Sequence, residues 1–304
     1  MFDLSIDEDT GVARLILNAP ERLNALGLED WRRLAQLGQE LGRRDDLRAV
    51  VLSGAGERAF SAGGDIKEFA EYRMGAAAAH AYNAEVDGAL QALAAIPVPT
   101  VARIHAACFG GGLMMALACD LRFAGPAASF CAPPAKMSFT YNAWALERLY
   151  RLIGPAHTDD LIYTARTIDA DEARRIGLIN DLSEDLDDLL DQRLSAILKL
   201  APLSHRAHKR LIADAPAPGS LAERDLTAHL YESQDYSEAV AAFSAALELA
   251  PGHGLVHAEL GHALEFAAAA VDEACALKSL SSIGSGPWDR MGAFRCAEHR
   301  RLRA

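Results

Sequence analysis

Two short runs of small residues hold the chemistry that this sequence offers. In Ala59-Phe60-Ser61-Ala62-Gly63-Gly64-Asp65-Ile66-Lys67, the residues Ala62, Gly63 and Gly64 carry little or no side chain, and Asp65 is a good N-cap for a helix over Ile66–Tyr72. In Gly110-Gly111-Gly112 the glycines open an apolar helix over Leu113–Cys119. Both runs follow apolar stretches that read as buried strands, Ala49-Val50-Val51-Leu52-Ser53 and Thr100–Ala106. A strand, a small-residue turn and a helix start leave backbone N–H groups without partners, and these favour negative charge. One donor from each run, converging on one point, would make an oxyanion hole.

The same residues carry a family resemblance. Ala59–Phe69 and Ile104–Asp120 resemble the two signature segments of the crotonase (enoyl-CoA hydratase/isomerase) superfamily. The resemblance implies that the thioester oxygen of an acyl-CoA is held by the N–H groups of Gly64 and Gly111. Glu21-Arg22-Leu23-Asn24-Ala25-Leu26 resembles the segment that lies along the CoA, with Ala25 beside the pantetheine arm. On that basis Arg22, Leu23, Ala25, Ala62, Asp65, Ile66 and Lys67 are expected to bind acyl-CoA, with Arg22 and Lys67 as local cations. Phe109, Gly110, Pro134 and Met137 complete the expected set. CoA is then part of the substrate, and neither a separate cofactor nor a metal is expected.

The hydratases of this family use two glutamates to add water across a double bond. Aligned by segment, the first would stand at Met114 and the second at Pro134, in Phe130-Cys131-Ala132-Pro133-Pro134. Neither residue can carry a proton, so an ordinary hydratase mechanism lacks its acid and base. Tyr141-Asn142, after Ala135-Lys136-Met137-Ser138-Phe139-Thr140, resembles the Tyr-Asn of the methylmalonyl-CoA decarboxylase branch, although that branch has a histidine where this chain has Gly64. Loss of CO2 from a malonyl thioester forms the enolate directly and needs no base to begin. The expected enzyme is therefore a lyase acting on a malonyl-type CoA thioester, with Tyr141 bonded to the leaving carboxylate. Phe60, Phe109, Met114, Met137 and Phe139 would surround that group with apolar surface.

With 304 residues, 51% of them hydrophobic and 24% charged, the chain has the composition of a globular protein with a sizeable core. The net charge of −12 opposes non-specific attraction to nucleic acid or anionic membranes. The acidic start Met-Phe-Asp-Leu-Ser does not read as a signal peptide, and no apolar run approaches membrane-spanning length, so a cytoplasmic location is expected. Cys108, Cys119, Cys131, Cys275 and Cys296 lack CxxC spacing and an even count, which points to reduced, mostly buried thiols.

The elements that must position these residues follow from periodicity and punctuation. Phe2–Ile6 and Val12–Leu17 read as a hairpin. Leu28, Trp31, Leu34, Ala35, Gly38 and Leu41 recur at helical spacing. Ala76–Ala95 reads as an alanine-rich helix closed by Pro97 and Pro99. Cys119–Ala124 and Ser129–Ala132 read as short strands, Trp144–Ile153 as a helix closed by Gly154-Pro155, and Asp169–Ile176 as another. Periodicity by itself gives an α/β class. The resemblance implies a crotonase-type ββα spiral core over 1–190, helices for trimerisation and a lid over 191–245, and a homotrimer or hexamer working in fatty acid metabolism.

Residues 246–304 form an extension of unknown role, expected to be helical. Asp235 through Leu264 resembles one tetratricopeptide unit, but a single repeat cannot bury its own face, and the match is taken as coincidence. His253, His257 and His262 with Glu259 are expected to be a solvated helix face rather than a metal site. Three other functional readings stand beside this one. Ser61 nearly fits a G-x-S-x-G nucleophile elbow, but Ala59 replaces its first glycine. A hydratase or isomerase with a displaced acid or base, and an inactive acyl-CoA-binding scaffold, are the other two.

Overall fold

A computed structural model describes residues 1–214 and, with gaps, 232–241. The expectations for 246–304, including the histidine set and the repeat-like stretch, lie outside the described residues. A compact unit spans Met1–Ala217.

The chain opens with β1 (Phe2–Asp7) and β2 (Val12–Leu17), the antiparallel hairpin read from the sequence. Helix α1 (Leu28–Gly42) follows, then β3 (Ala49–Gly54), β4 (Ala59–Ser61), a 3-10 turn over Ile66–Glu68, α2 (Phe69–Tyr72) and α3 (Ala76–Ala94). Next come β5 (Thr100–Ile104), β6 (Ala107–Phe109), α4 (Gly111–Ala118), β7 (Leu121–Ala124), β8 (Ser129–Cys131) and α5 (Ala143–Thr164). The unit closes with β9 (Thr167–Asp169), α6 (Ala170–Arg175), β10 (Asp181–Leu182), α7 (Leu186–Leu198) and α8 (Pro202–Asp214).

Two sheets share these strands in a repeating way. One has the order β1-β2-β3-β5-β7-β10 and the other β4-β6-β8-β9. Each turn of the chain, β3-β4-α3, β5-β6-α4 and β7-β8-α5, gives its first strand to the larger sheet and its second to the smaller. The joins are parallel, with Val50 opposite Thr100, Val101 opposite Leu121 and Cys108 opposite Phe130. This is a ββα spiral, the α/β fold expected. Successive turns therefore end their second strands side by side, so the loops after β4 and β6 are neighbours in space.

The main core lies between the sheets and α1, α3, α4 and α5, where Trp31, Leu34, Phe60, Leu90, Leu113 and Phe130 are all buried. A second apolar layer joins the other face of the larger sheet to α7 through Val51, Val101, Phe123, Leu190 and Leu194. Residue-by-residue alternation explains β2, whose Ala13, Leu15 and Leu17 face the first layer while Val12 faces the second. Cys108, Cys119 and Cys131 are free and buried.

Three local expectations change. Phe60, near the start of the first glycine run, belongs to a strand, and the strand read over Thr100–Ala106 ends at Ile104, with the separate β6 following at Ala107–Phe109. The helix over Ile66–Tyr72 begins as a 3-10 turn. Gly154-Pro155 does break the helix, as expected. Gly154 takes φ +73°, and the helix resumes directly with Pro155, which suits a first helical position because its missing N–H would find no partner there.

Candidate active site

The two glycine turns meet. Gly63 has φ +98°, and a Cβ placed on it would come within 2.8 Å of the Gly111 nitrogen and of the Phe109 carbonyl oxygen. Only glycine fits both the conformation and the space. A Cβ on Gly111 would lie 3.3 Å from the Gly64 nitrogen and 2.9 Å from the Trp31 ring. The N–H groups of Gly64 and Gly111 are thus close neighbours, and neither has an acceptor among the described residues.

The first turn is held from behind. Segment 23–26 runs beside 62–65, with Ala62 N–H donating to Leu23 O (2.9 Å), Leu26 N–H to Gly63 O (2.8 Å) and Asp65 N–H to Leu26 O (2.8 Å). Asn24, fully buried at φ +54°, donates to the carbonyls of Ala55, Ala59 and Phe60. Ser61 donates to Asn24 O (2.8 Å) and accepts from Gly63 N–H (3.1 Å). Its hydroxyl is fully buried and spent on the turn. Ser61 is a brace, which removes the nucleophile-elbow reading.

The second turn opens α4, an eight-residue helix buried on nearly all sides. Its dipole places positive character at Gly111. At the far end Arg122 donates to Ala116 O and Cys119 O, and Arg148 donates to Leu117 O and Cys119 O. Two guanidiniums therefore satisfy the last carbonyls of the helix whose first N–H faces the site. Burial pulls the Arg122 pKa down to about 10, so it remains a cation at neutral pH.

A cleft runs over both donors. Its volume is about 90 Å³. A single water needs roughly 10–15 Å³ by the same measure, so a small organic group fits. Of the expected site residues, Gly64, Gly111, Tyr141, Ala62, Ile66, Gly110, Pro134 and Met137 line it. Arg22, Leu23, Ala25, Asp65, Lys67 and Phe109 do not. Leu23, Ala25 and Asp65 instead belong to the paired backbone behind the first turn. Asp65 caps its 3-10 turn by accepting from Lys67 N–H (3.0 Å). Lys67 is exposed nearby. Arg22, expected as a local cation, is held by Asp30 at 2.8 Å and lies 3.8 Å from Asp65. Phe109 lends its carbonyl to the packing around Gly63.

Tyr141 requires correction. Its hydroxyl donates to Gly110 O at 3.1 Å, and its side chain is 5% exposed. Burial pushes the phenol pKa well above its ordinary value, so this proton stays in place. Gly110 O also accepts from Met114 N–H at 3.1 Å. The single O–H is thus committed to the turn rather than offered to a leaving carboxylate. Met114 and Pro134 both line the cleft, so the positions aligned with catalytic glutamates do face the site and carry no titrating group there.

Two charged residues of the cleft escaped the sequence reading. Asp87, on α3, lines it and accepts a short hydrogen bond from Asn142 Nδ2. Arg73, between α2 and α3, lines it as well. Around them stand Phe69, Tyr82 and Phe139, and Tyr82 receives the indole N–H of Trp31 at 3.2 Å. The buried stripe of α3, Tyr82, Val86, Ala89, Leu90 and Leu93, is blurred in the sequence by the surrounding alanines, so the placement of Asp87 beside it went unread. No helix among the described residues is long and apolar enough to cross a membrane.

Similar proteins share this arrangement of chain. Residues 7–244 match the family model described as enoyl-CoA hydratase/isomerase. A Mycobacterium bovis protein named probable enoyl-CoA hydratase is 33% identical over 245 residues, 78% of this chain and 93% of that one. The short-chain-enoyl-CoA hydratase of Clostridium acetobutylicum is 30% identical over 244 residues, with the same coverage of 78% and 93%. Among solved structures, an enoyl-CoA hydratase/carnithine racemase from Magnetospirillum magneticum aligns with a TM-score of 0.76 at 36% identity, over 80% of this chain and 92% of that one. With two neighbouring glycine N–H groups lining an apolar cleft, and a family match over residues 7–244, the chain belongs to the enoyl-CoA hydratase/isomerase family.

Proposed function

We propose that this acyl-CoA enzyme stabilises a thioester enolate between the N–H groups of Gly64 and Gly111, and that it forms the enolate by decarboxylating a malonyl-type CoA thioester. The bond between C2 and the carboxylate breaks, its electron pair moves onto the thioester oxygen, and CO2 leaves. Water then protonates C2. The supporting observation is the pairing of two unengaged backbone donors with Met114 and Pro134 where a hydratase would need carboxylates. Each preorganised donor is worth about 2.7–4 kcal/mol to a developing oxyanion. Tyr141 acts here by holding the Gly110–Gly111 peptide, not by touching the carboxylate.

A second reading rests on Asp87, the one carboxylate among the described residues lining the cleft. It could serve as the acid or base of a hydratase or isomerase, the activity named for the relatives. Mass-spectrometric assays with methylmalonyl-CoA, ethylmalonyl-CoA and crotonyl-CoA separate the two. Loss of CO2 from either malonyl thioester is expected; hydration of crotonyl-CoA alone would replace decarboxylation with the Asp87 mechanism.

A further inference from the structure

We propose that Arg73 is the receptor for a carboxylate carried by the acyl group, which makes CoA thioesters of dicarboxylic acids the substrate class of this cleft. The inference rests on the acyl-CoA reading of the site and is separate from the choice between decarboxylation and hydration. It begins from a guanidinium with an unusual environment. The Cζ of Arg73 lies 4.3 Å from the Phe139 ring centroid, 4.7 Å from Phe69 and 5.1 Å from Tyr82. Those rings meet edge to face, Phe69 with Tyr82 at 5.8 Å and with Phe139 at 6.2 Å. The result is a three-ring cage around one cation.

The cage leaves the cation short of partners. Arg73 makes one side-chain hydrogen bond, from Nη2 to Asn83 Oδ1 at 2.8 Å. No carboxylate lies within 4.0 Å of it among the described residues, whereas Arg22, Arg32, Arg44 and Arg166 each have two. It is half-buried, and desolvation pulls its pKa down, while the nearby Tyr82 acts the other way. Arginine remains a cation at neutral pH, so this is a partly desolvated positive charge without a counter-ion among the described residues. Aromatic faces recover part of that cost. A guanidinium has five N–H groups in a planar fork that matches a carboxylate. With one of them on Asn83, the fork keeps the capacity for a bidentate anion.

Position selects which anion. Phe69 contacts both the hole and the cation: its ring lies 3.3 Å from a Cβ placed on Gly64, and it is one of the rings around Arg73. Arg73 therefore stands about one aromatic ring beyond the point where the thioester oxygen would sit. An anion held there belongs to the far part of the acyl group.

The test uses saturated thioesters that can be neither hydrated nor decarboxylated through a C2 carboxylate. Dissociation constants are measured by calorimetry for succinyl-CoA against butyryl-CoA, glutaryl-CoA against valeryl-CoA, and free CoA. The wild-type chain is expected to favour at least one dicarboxylyl thioester over its partner by tenfold or more. Arg73→Met, which keeps an apolar stem over the rings, is expected to lose that preference without weakening free CoA; Arg73→Lys should retain part of it. Unfolding temperatures establish that the variants are folded. Equal binding within each pair would overturn the proposal. So would a parallel loss for all ligands in Arg73→Met, which would place Arg73 against a CoA phosphate. If free CoA and all thioesters failed to bind, the acyl-CoA reading would fall, and the proposal with it.

Discussion

The hydroxyl of Tyr141 donates to the carbonyl oxygen of Gly110 at 3.1 Å, and that carbonyl shares its peptide with the N–H of Gly111. The chain has no cis peptides among the described residues, so the two ends of this unit point in opposite directions. A donor on the carbonyl both fixes the plane and polarises the N–H on the other side. Tyr141→Phe removes that donor and leaves the Met114 N–H bond. A net hydrogen bond is worth about 1 kcal/mol, so kcat should fall roughly five- to tenfold with KM little changed. An unchanged kcat would mean that Met114 N–H alone sets the peptide.

Gly64→Pro deletes one of the two donors outright. Turnover should fall about 100- to 1,000-fold, with a smaller effect on affinity for CoA. Gly64→Ala keeps the N–H and places a methyl against Phe69 at 3.3 Å, so it controls for crowding and should retain much more activity. Equal losses in the two variants would remove the Gly64 N–H from the mechanism.

Asp87→Asn separates the two reactions. The amide oxygen can still accept from Asn142, so the local hydrogen bond survives while the charge goes. Decarboxylation should persist within a few-fold. Any hydration or isomerisation that relies on Asp87 should drop by about 100-fold or more.

Alkaline stability reports on the buried thiols behind the site. Burial raises the Cys119 pKa to about 12 and raises that of Cys108 still further. In the unfolded chain each thiol loses its proton near pH 9. The folded state then binds more protons, so the stability from these groups is complete below pH 9 and is lost as pH rises from 9 towards 12. Each thiol contributes up to about 1.4 kcal/mol per pH unit in that window. Denaturant melts of Cys119→Ala should show a shallower loss above pH 9, even if its stability at neutral pH is lower. An unaltered slope would place the alkaline sensitivity elsewhere.

The oxyanion turns were legible because each is local: a strand, three small residues and a helix start fit in one window of sequence. Tyr141 was located by its neighbours, but the sequence could not say where its O–H points, since Gly110 is 31 residues away. Arg73 and Asp87 were invisible for a related reason. Their environment comes from Phe69, Tyr82, Phe139 and Asn142, which the spiral brings together from separate turns. Strands of three residues, such as β4 and β6, are too short for alternation to reveal. The break at Gly154 was legible because glycine followed by proline is a local stop signal, and the proline then opens the next helical stretch.

The donors at Gly64 and Gly111 belong to the main chain, and this has a consequence for how such a protein can change over generations. A point mutation can replace any side chain, but only a proline can erase an N–H. Met114 and Pro134 can therefore drift to any residue while the hole endures, provided the small residues around it stay small. On the proposed reading, reaction type is free to diverge while the pair of backbone donors is inherited with the fold itself.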